Sequence, residues 1–268
     1  MKIALVGGTH GNEPVGIEVM KYFKETSETF ENQFKCFWGN PKAYELKRRY
    51  VDFDLNRSFG KNTKTHGYEK QRAEELTKEI QGYFDFCIDL HTTTSNMGLT
   101  AILNNTHENT RKVCANLAKT FHGLKLIEED VLDLECTHLN RLCPGGVTVE
   151  VGPVANNVVS GDLVLKTIEI VRSVLNFDFT NKIDLTNVPY YKMLGQINYP
   201  EYGSWYIHPL LENTDFTALP NKAPIFISAQ GEEILWEEDE VYPFFVNEAA
   251  YIENKSAFLI ARLAKGWD

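Results

Sequence analysis

The chain begins with a strand, a glycine turn and a helix, and this order constrains its fold more than any other feature. Met1 to Val6 is a short apolar run with β-branched residues, closed by Gly7 and Gly8, which predicts a buried strand. Pro14 suits the first position of a helix, and apolar residues then recur on one helical face to about Thr26. The turn between the two elements therefore lies at the carboxyl end of a strand, where open α/β sheets place their chemistry.

That turn and a later strand end carry side chains that can bind a metal. His10 and Glu13 lie three residues apart in the turn, and the strand-like run from Phe84 ends in His91. Two His and one Glu are a typical ligand set for a catalytic zinc ion, with the fourth position left for water. Asp89 points to the same face of an extended strand as His91 and is expected to orient its imidazole. The alternatives are a capped loop without metal for His10 and Glu13, and a loop-capping carboxylate for Asp89.

Strand-like runs and amphipathic helices continue to alternate up to about residue 175. Helices are predicted near residues 69–82, 109–121 and 156–175. This alternation predicts an α/β fold with a mixed, largely parallel sheet and helices on both faces. Beyond about residue 180 helical periodicity disappears and Pro, Tyr and Trp become frequent, which predicts a smaller β-rich domain. We therefore divide the chain into a catalytic domain, 1–184, and a β-rich C-terminal domain, 185–268.

The composition argues against several classes of protein. A formal charge of −10, without a basic stripe interleaved with aromatic residues, argues against a nucleic-acid partner. No apolar run reaches the ~18 residues of a membrane span and the start lacks a signal-peptide pattern, so we expect a soluble, cytoplasmic protein. The 5 Cys lack C-x-x-C spacing, which predicts free thiols. Four histidines without a partner at ligand spacing are interpreted as ordinary surface or loop residues: His66, His107, His122 and His138.

Two further segments carry residues suited to hydrolytic chemistry. The loop 48–59 contains three arginines and no helical or strand period, and irregular loops of this length are often functional. A solvated charged loop is the alternative. Glu150 is the single carboxylate in the β-branched strand that runs from Val147 to Gly152. Because burial raises the pKa of a carboxyl group toward the range useful for proton transfer, we assign Glu150 as a general base and then acid. A strand-end salt bridge is the alternative.

Five motifs in this order resemble those of the aspartoacylase and succinylglutamate desuccinylase family of zinc carboxypeptidase-like hydrolases. They are His10-Gly11-Asn12-Glu13, Asp54-Leu55-Asn56-Arg57, Asp89-Leu90-His91, Val149-Glu150-Val151-Gly152-Pro153 and Asn247-Glu248-Ala249-Ala250-Tyr251. The match extends from Gly7 to about Phe258, which is nearly the whole chain. Any one motif is weak, but five in order are highly specific.

The resemblance implies a zinc site and two catalytic residues. One zinc ion per subunit would be held by His10, Glu13 and His91. Arg49 would assist zinc in polarising the scissile carbonyl, and Glu150 would transfer the proton.

The resemblance also implies the groups that bind the substrate. Asn56 and Arg57 would hold its α-carboxylate, Arg141 its side-chain carboxylate, and Tyr251 would donate its hydroxyl to a carboxylate. Two departures bear on specificity. The alignment needs a one-residue deletion between Arg141 and the catalytic glutamate, and Thr137 stands where the family often carries a tyrosine.

The function that follows is zinc-dependent removal of the acyl group from an N-acyl amino acid. The first candidate substrate is N-acetyl-L-aspartate, which would give acetate and L-aspartate. A succinylglutamate desuccinylase or another N-acyl amino acid deacylase is the nearer alternative. A catalytically inactive zinc-containing binding protein is the second. The expected partner is a small-molecule substrate, with no nucleic acid and no membrane. The native acyl group, the physiological metal and the oligomeric state, a homo-oligomer included, stay open.

Overall fold

The computed structural model describes residues 1–60, 66–129 and 138–267, so the predictions made for Thr137 and for a free thiol at Cys136 lie outside it. The first part of the chain contains six strands and five helices: β1 (Lys2–Gly7), α1 (Val15–Glu25), β2 (Gln33–Trp38), α2 (Pro41–Glu45), α3 (Tyr68–Ile80), β3 (Phe86–Thr92), β4 (Gly98–Leu103), α4 (Glu108–Thr120), β5 (Lys125–Glu128), β6 (Gly145–Gly152) and α5 (Gly161–Leu175). Six strands follow: β7 (Pro189–Asn198), β8 (Trp205–Ile207), β9 (Pro224–Ser228), β10 (Glu233–Leu235), β11 (Tyr242–Phe244) and β12 (Ser256–Lys265). Short 3₁₀ helices cover Leu55–Arg57, Leu139–Leu142 and Ala249–Asn254.

Nine strands form one sheet in the order β11-β12-β7-β5-β4-β6-β3-β1-β2. The pairs β1–β2, β1–β3, β3–β6, β4–β5 and β5–β7 are parallel. The pairs β4–β6, β7–β12 and β11–β12 are antiparallel. The predicted mixed, largely parallel sheet is thereby confirmed.

Helices cover both faces of this sheet. Along β1, Ile3 and Leu5 pack into a hydrophobic cluster that includes residues of α1, α4 and α5. The alternate residues Ala4 and Val6 pack into a second cluster, which includes residues of α3. Successive side chains of a strand point to opposite faces, so these two clusters lie on opposite sides of the sheet.

The C-terminal part is β-rich, as predicted, but it shares the central sheet. Strands β8, β9 and β10 form a separate three-stranded antiparallel sheet, whereas β7, β12 and β11 extend the nine-stranded one. The parallel pairing of β5 with β7 brings Ile127 opposite Tyr191 and satisfies backbone groups that an edge strand would leave unpaired. The proposed boundary between residues 184 and 185 stays a prediction.

Two compositional expectations can be compared with the part of the chain that the structure describes. Its cysteines are free, as predicted: Cys36, Cys87, Cys114 and Cys143. Within the described ranges, the helices are too short or too polar to cross a bilayer.

Candidate active site

Three side chains that can bind a metal converge where β1 and β3 end. His10 Nδ1 lies 2.7 Å from Glu13 Oε1, His91 Nδ1 lies 3.0 Å from Glu13 Oε2, and the two Nδ1 atoms are 3.1 Å apart. All three residues are buried, and they are the potential metal-binding group found among the described residues. Adjacent parallel strands β1 and β3 end at the same edge of the sheet, which explains why residues 78 or more positions apart meet there.

The other nitrogen of each imidazole contacts a carboxylate. His91 Nε2 lies 2.8 Å from Asp89 Oδ2, and His10 Nε2 lies 3.1 Å from Asp54 Oδ1. A carboxylate only accepts, so it favours the tautomer with the proton on Nε2 and leaves the Nδ1 lone pair free to bind a metal. Two such lone pairs facing each other, with a carboxylate between them, repel unless a cation lies among them. The donor set therefore fits a metal ion.

The charge of Glu13 fits the same role. Burial alone would raise the pKa of Glu13, but positive charge on the adjacent His10 and His91 imidazoles, when they are protonated, and their hydrogen bonds outweigh burial and hold that pKa well below its ordinary value. Glu13 is thus an ionised ligand at neutral pH. Arg49 Nη1 also lies 3.2 Å from Glu13 Oε1, so a guanidinium borders the ligand group.

Arg49 is positioned by both its backbone and its side chain. The Gly11 N–H donates to the Arg49 carbonyl at 3.0 Å. A Cβ on Gly11 would lie 2.2 Å from the backbone of Ala43, so only glycine permits this close approach. The guanidinium donates to Asp54 Oδ2 through Nε at 3.2 Å and Nη2 at 3.0 Å. Asp54 thus binds Arg49 with one oxygen and His10 with the other, which fixes the two side chains relative to each other.

Glu150 stands beside the metal-competent group. In the parallel register of β3 and β6 it lies opposite His91, and it is buried. Burial raises the pKa of Glu150 well above its ordinary value, because the charged form loses hydration; Glu13 and Glu248 add to the effect, whereas His91 and Arg49 oppose it. The position favours a carboxyl group that can both take up and release a proton.

The metal-competent group and Glu150 open into one cavity. Eighteen of the residues that the structure describes line it: His10, Glu13, Arg49, Asn56, Arg57, His91, Thr92, Thr93, Ile102, Asn104, Glu129, His138, Thr148, Glu150, Phe245, Glu248, Ala250 and Tyr251. Eight of the nine site residues predicted from the sequence are therefore in this cavity.

The ninth predicted residue, Arg141, lies elsewhere in the described structure. It belongs to the 3₁₀ helix Leu139–Leu142 and lines an adjoining cleft with residues such as Phe59 and Ala73, and this cleft shares His138 with the cavity. Its assignment to the side-chain carboxylate of the substrate stays a prediction. Asn56, also assigned to the substrate, is engaged by protein groups: its Oδ1 accepts from the Leu139 N–H at 3.0 Å, and its Nδ2 donates to Asp89 at 3.3 Å.

Several cavity residues were not found from the sequence. His138, interpreted from the sequence as an ordinary surface or loop histidine, lies in a loop, but it also lines the cavity and contacts Arg57. Glu129 and Asn104 each follow the last residue of a strand, β5 and β4, a position that could have identified them. His138 precedes a four-residue 3₁₀ helix, and no periodicity marks that position.

The C-terminal part of the chain is bound to this site through Glu248. One carboxylate oxygen accepts hydrogen bonds from the Thr93 hydroxyl, the Thr94 N–H at 2.9 Å and the Ser95 N–H at 3.1 Å. The other accepts from the Ala250 N–H at 3.0 Å, at the start of the 3₁₀ helix that carries Tyr251. Glu248 therefore connects the turn after β3 to the segment that places Tyr251 in the cavity.

Comparisons with known proteins agree with this architecture. The family model described as the succinylglutamate desuccinylase/aspartoacylase catalytic domain matches residues 1–177, and the AstE/AspA barrel-sandwich hybrid domain matches residues 186–263. A probable aspartoacylase from Trichodesmium erythraeum is 36% identical, over 97% of this chain and 96% of its own. An N-acyl-aromatic-L-amino acid amidohydrolase (carboxylate-forming) from Homo sapiens is 32% identical, over 96% and 89%. The crystal structure of murine aminoacylase 3 superposes with a TM-score of 0.90 at 30% identity, over 98% of this chain and 95% of that one. These matches confirm the resemblance that the motifs indicate.

Proposed function

The chain belongs to the succinylglutamate desuccinylase and aspartoacylase family of amide-hydrolysing enzymes, and we propose that it removes the acyl group from N-acyl-L-amino acids with the help of one bound zinc ion. The observation that carries this proposal is the position of the His10, Glu13 and His91 donors beside Glu150 in one cavity. A base next to three metal-binding donors is what metal-assisted hydrolysis of an amide requires.

Zinc is the metal that this donor set favours, since two imidazoles and one carboxylate are a common catalytic zinc set. The donor atoms of His10, Glu13 and His91 all lie within 4.8 Å of one another, close enough for a single ion to bind all three. When bound, zinc would supply a Lewis acid that polarises the acyl carbonyl and lowers the pKa of a water molecule.

The protein's own groups supply the remaining chemistry. Glu150 would take the proton from the attacking water and return it to the leaving amine nitrogen. Its buried position suits both steps, because burial brings the pKa of a carboxyl group closer to neutrality. The Arg49 guanidinium, held by Asp54, would stabilise the negative charge that develops on the acyl oxygen. Because Asp54 already fixes Arg49, little reorganisation is needed during the reaction.

Substrate binding would use the remaining cations and donors of the cavity. Arg57 lines it and can offer a guanidinium to the α-carboxylate, and the hydroxyl of the half-buried Tyr251 can donate to the same or a second carboxylate. Burial raises the pKa of Tyr251, so this hydroxyl stays a donor at neutral pH. A cytoplasmic location is kept as a prediction, and the oligomeric state, a homo-oligomer included, stays open.

The amino-acid side chain of the substrate is the open part of the proposal. N-acetyl-L-aspartate is the substrate that the sequence favours, with Arg141 as partner of its second carboxylate. Arg141→Leu should then raise KM for N-acetyl-L-aspartate far more than for a neutral N-acetyl amino acid. The second candidate class is N-acyl amino acids with uncharged side chains. It is favoured by the position of Arg141 in another cleft and by Ile102 and Phe245 in the cavity wall.

A panel that varies the acyl group and the amino acid independently tests the proposed reaction. Release of acetate from at least one N-acetyl-L-amino acid, and its loss in Glu150→Gln with zinc still bound, would support it. Turnover that survives Glu150→Gln unchanged would refute the assigned base, and the absence of turnover across acetyl, succinyl and longer acyl groups would refute the proposed function.

A further inference from the structure

The cavity wall that runs away from Glu150 is polar at its far end. Thr148 precedes Glu150 by two residues on the same face of β6, and Ile102 lies opposite Thr148 on β4. Asn104 directly follows β4, and Glu129 directly follows β5. These two residues and His138 line the cavity, and together we call them the end wall.

Hydrogen bonds fix the end wall internally. The Asn104 Nδ2 amide donates to Glu129 Oε2 and lies 3.1 Å from His138 Nδ1, while Asn104 Oδ1 accepts from Asn140. His138 Nδ1 lies 3.6 Å from Glu129 Oε2. With its amide oxygen and nitrogen both engaged, Asn104 holds the Glu129 carboxylate in a defined place. Both side-chain contacts of Glu129 within the described ranges use Oε2, and among the described residues Oε1 has no hydrogen-bond partner.

Arg57, His138 and Glu129 form a row along the cavity, and this row carries opposite charges at its two ends. Arg57 Nη1 lies 2.6 Å from His138 Nε2 and donates to the Asn56 carbonyl at 2.9 Å, so its cation stands at one end. Glu129 places a carboxylate at the other, with His138 between them. A substrate whose α-carboxylate binds Arg57 would direct its side chain past His138 toward Glu129.

A carboxylate at the end of the substrate side chain would meet a second carboxylate there. Like charges repel strongly in a partly buried cavity, whereas a carboxylate oxygen accepts a hydrogen bond from an amide or ammonium group. Arg141, the cation expected to compensate a second substrate carboxylate, lines an adjoining cleft on the other side of His138 and is not among the described residues that line this cavity.

We propose that Glu129 determines the side-chain specificity of this enzyme and selects N-acyl amino acids whose side chain ends in a hydrogen-bond donor rather than a carboxylate. The inference rests on the proposed function and specifies its substrate class. It reverses the preference for N-acetyl-L-aspartate that the sequence predicts.

N-acetyl-L-asparagine and N-acetyl-L-aspartate form the matched pair for the test, since they differ only by an amide in place of a carboxylate. The ratio of their kcat/KM values on zinc-loaded wild-type protein should favour the asparagine compound by about tenfold or more. Glu129→Gln replaces the charge with an amide that can donate to a carboxylate, and should lower the ratio at least about tenfold. Dissociation constants of the two compounds, measured by calorimetry on zinc-loaded Glu150→Gln protein with and without Glu129→Gln, provide a readout independent of turnover.

Glu253→Gln is the control, because it removes one negative charge from an exposed residue of the neighbouring Ala249–Asn254 segment. It should leave the ratio unchanged. A wild-type preference for N-acetyl-L-aspartate, an unchanged ratio in Glu129→Gln, or an equal shift in Glu253→Gln would overturn the proposal. If wild-type protein turns over neither compound nor any other N-acyl amino acid, the proposed function fails. The affinity ratio then decides the role of Glu129 separately.

Discussion

Removing the Glu248 carboxylate should both destabilise the protein and impair its active site. Glu248 is buried and accepts hydrogen bonds from the turn after β3 and from the start of the segment that carries Tyr251. Glu248→Ala leaves three donors without the Glu248 acceptor, the Thr94 N–H, the Ala250 N–H and the Thr93 hydroxyl, whereas the Ser95 N–H keeps Thr93 Oγ1 at 3.0 Å. It also removes the connection that places Tyr251 in the cavity.

The magnitude follows from the number of lost acceptors. An unsatisfied buried donor costs about 1–3 kcal/mol. Thr94 and Ala250 are only half-buried, so water can reach them after truncation, and the lower value applies. We therefore expect Glu248→Ala to lower the free energy of unfolding by about 3 kcal/mol. Glu248→Gln keeps one carbonyl oxygen but turns an NH₂ group toward a backbone N–H. It should lower the free energy of unfolding by about 1–2 kcal/mol.

Urea unfolding monitored by circular dichroism measures the stability change, and kcat/KM with the best N-acyl amino acid of the panel measures the effect on the site. We expect kcat/KM to fall about tenfold or more in Glu248→Ala, because a displaced Tyr251 no longer binds substrate. The exposed Glu238→Gln serves as the control and should change neither quantity. If Glu248→Ala lowers the free energy of unfolding by less than about 0.5 kcal/mol and keeps full activity, this reasoning is refuted.

Three further predictions concern other carboxyl groups. Glu150→Gln should lower kcat by about 10²–10⁴-fold while KM changes little, as steady-state kinetics would show; a kcat within threefold of wild type would contradict its role. Asp89→Asn should weaken zinc affinity about 10–100-fold through the loss of the His91 contact, measured by competition with a chelator, and an unchanged affinity would contradict it. Burial raises the pKa of Asp215 from 3.8 to about 6, so the folded state holds this proton more tightly than the unfolded state, and stability falls as pH rises from about 4 to about 6. Relative to wild type, the free energy of unfolding of Asp215→Asn should therefore rise by up to about 3 kcal/mol between about pH 4 and pH 6. Unfolding curves at several pH values measure this change, and the exposed Asp239→Asn should not show it. A pH-independent difference would contradict this assignment.

The sequence predicts the parts of the fold that local patterns encode. Strand β1, the turn with His10 and Glu13, and the strand that ends in His91 each have a periodicity or a glycine boundary that reveals them. Their convergence follows from the rule that parallel strands end at one edge of a sheet. The family motifs extend this to Glu150 and Tyr251, which lie in the same cavity.

Long-range pairing explains what the sequence did not reveal. The parallel pairing of β5 with β7 joins the C-terminal part to the central sheet through Ile127 and Tyr191, and no local pattern encodes that partner. His138 lies in the cavity because Arg57 and Asn104 contact its ring from distant segments. An isolated histidine in a polar segment carries no sign of such neighbours.

The central claim is that metal bound at His10, Glu13 and His91 enables hydrolysis of an N-acyl amino acid. The most direct measurement is acetate release from a panel of N-acetyl-L-amino acids by the protein as purified, after chelation, and after zinc return, with the metal content determined at each stage. The account predicts about one zinc ion per chain, loss of turnover on chelation and recovery with zinc. Turnover that persists after the metal is removed, or no turnover with one zinc ion bound per chain, would contradict it.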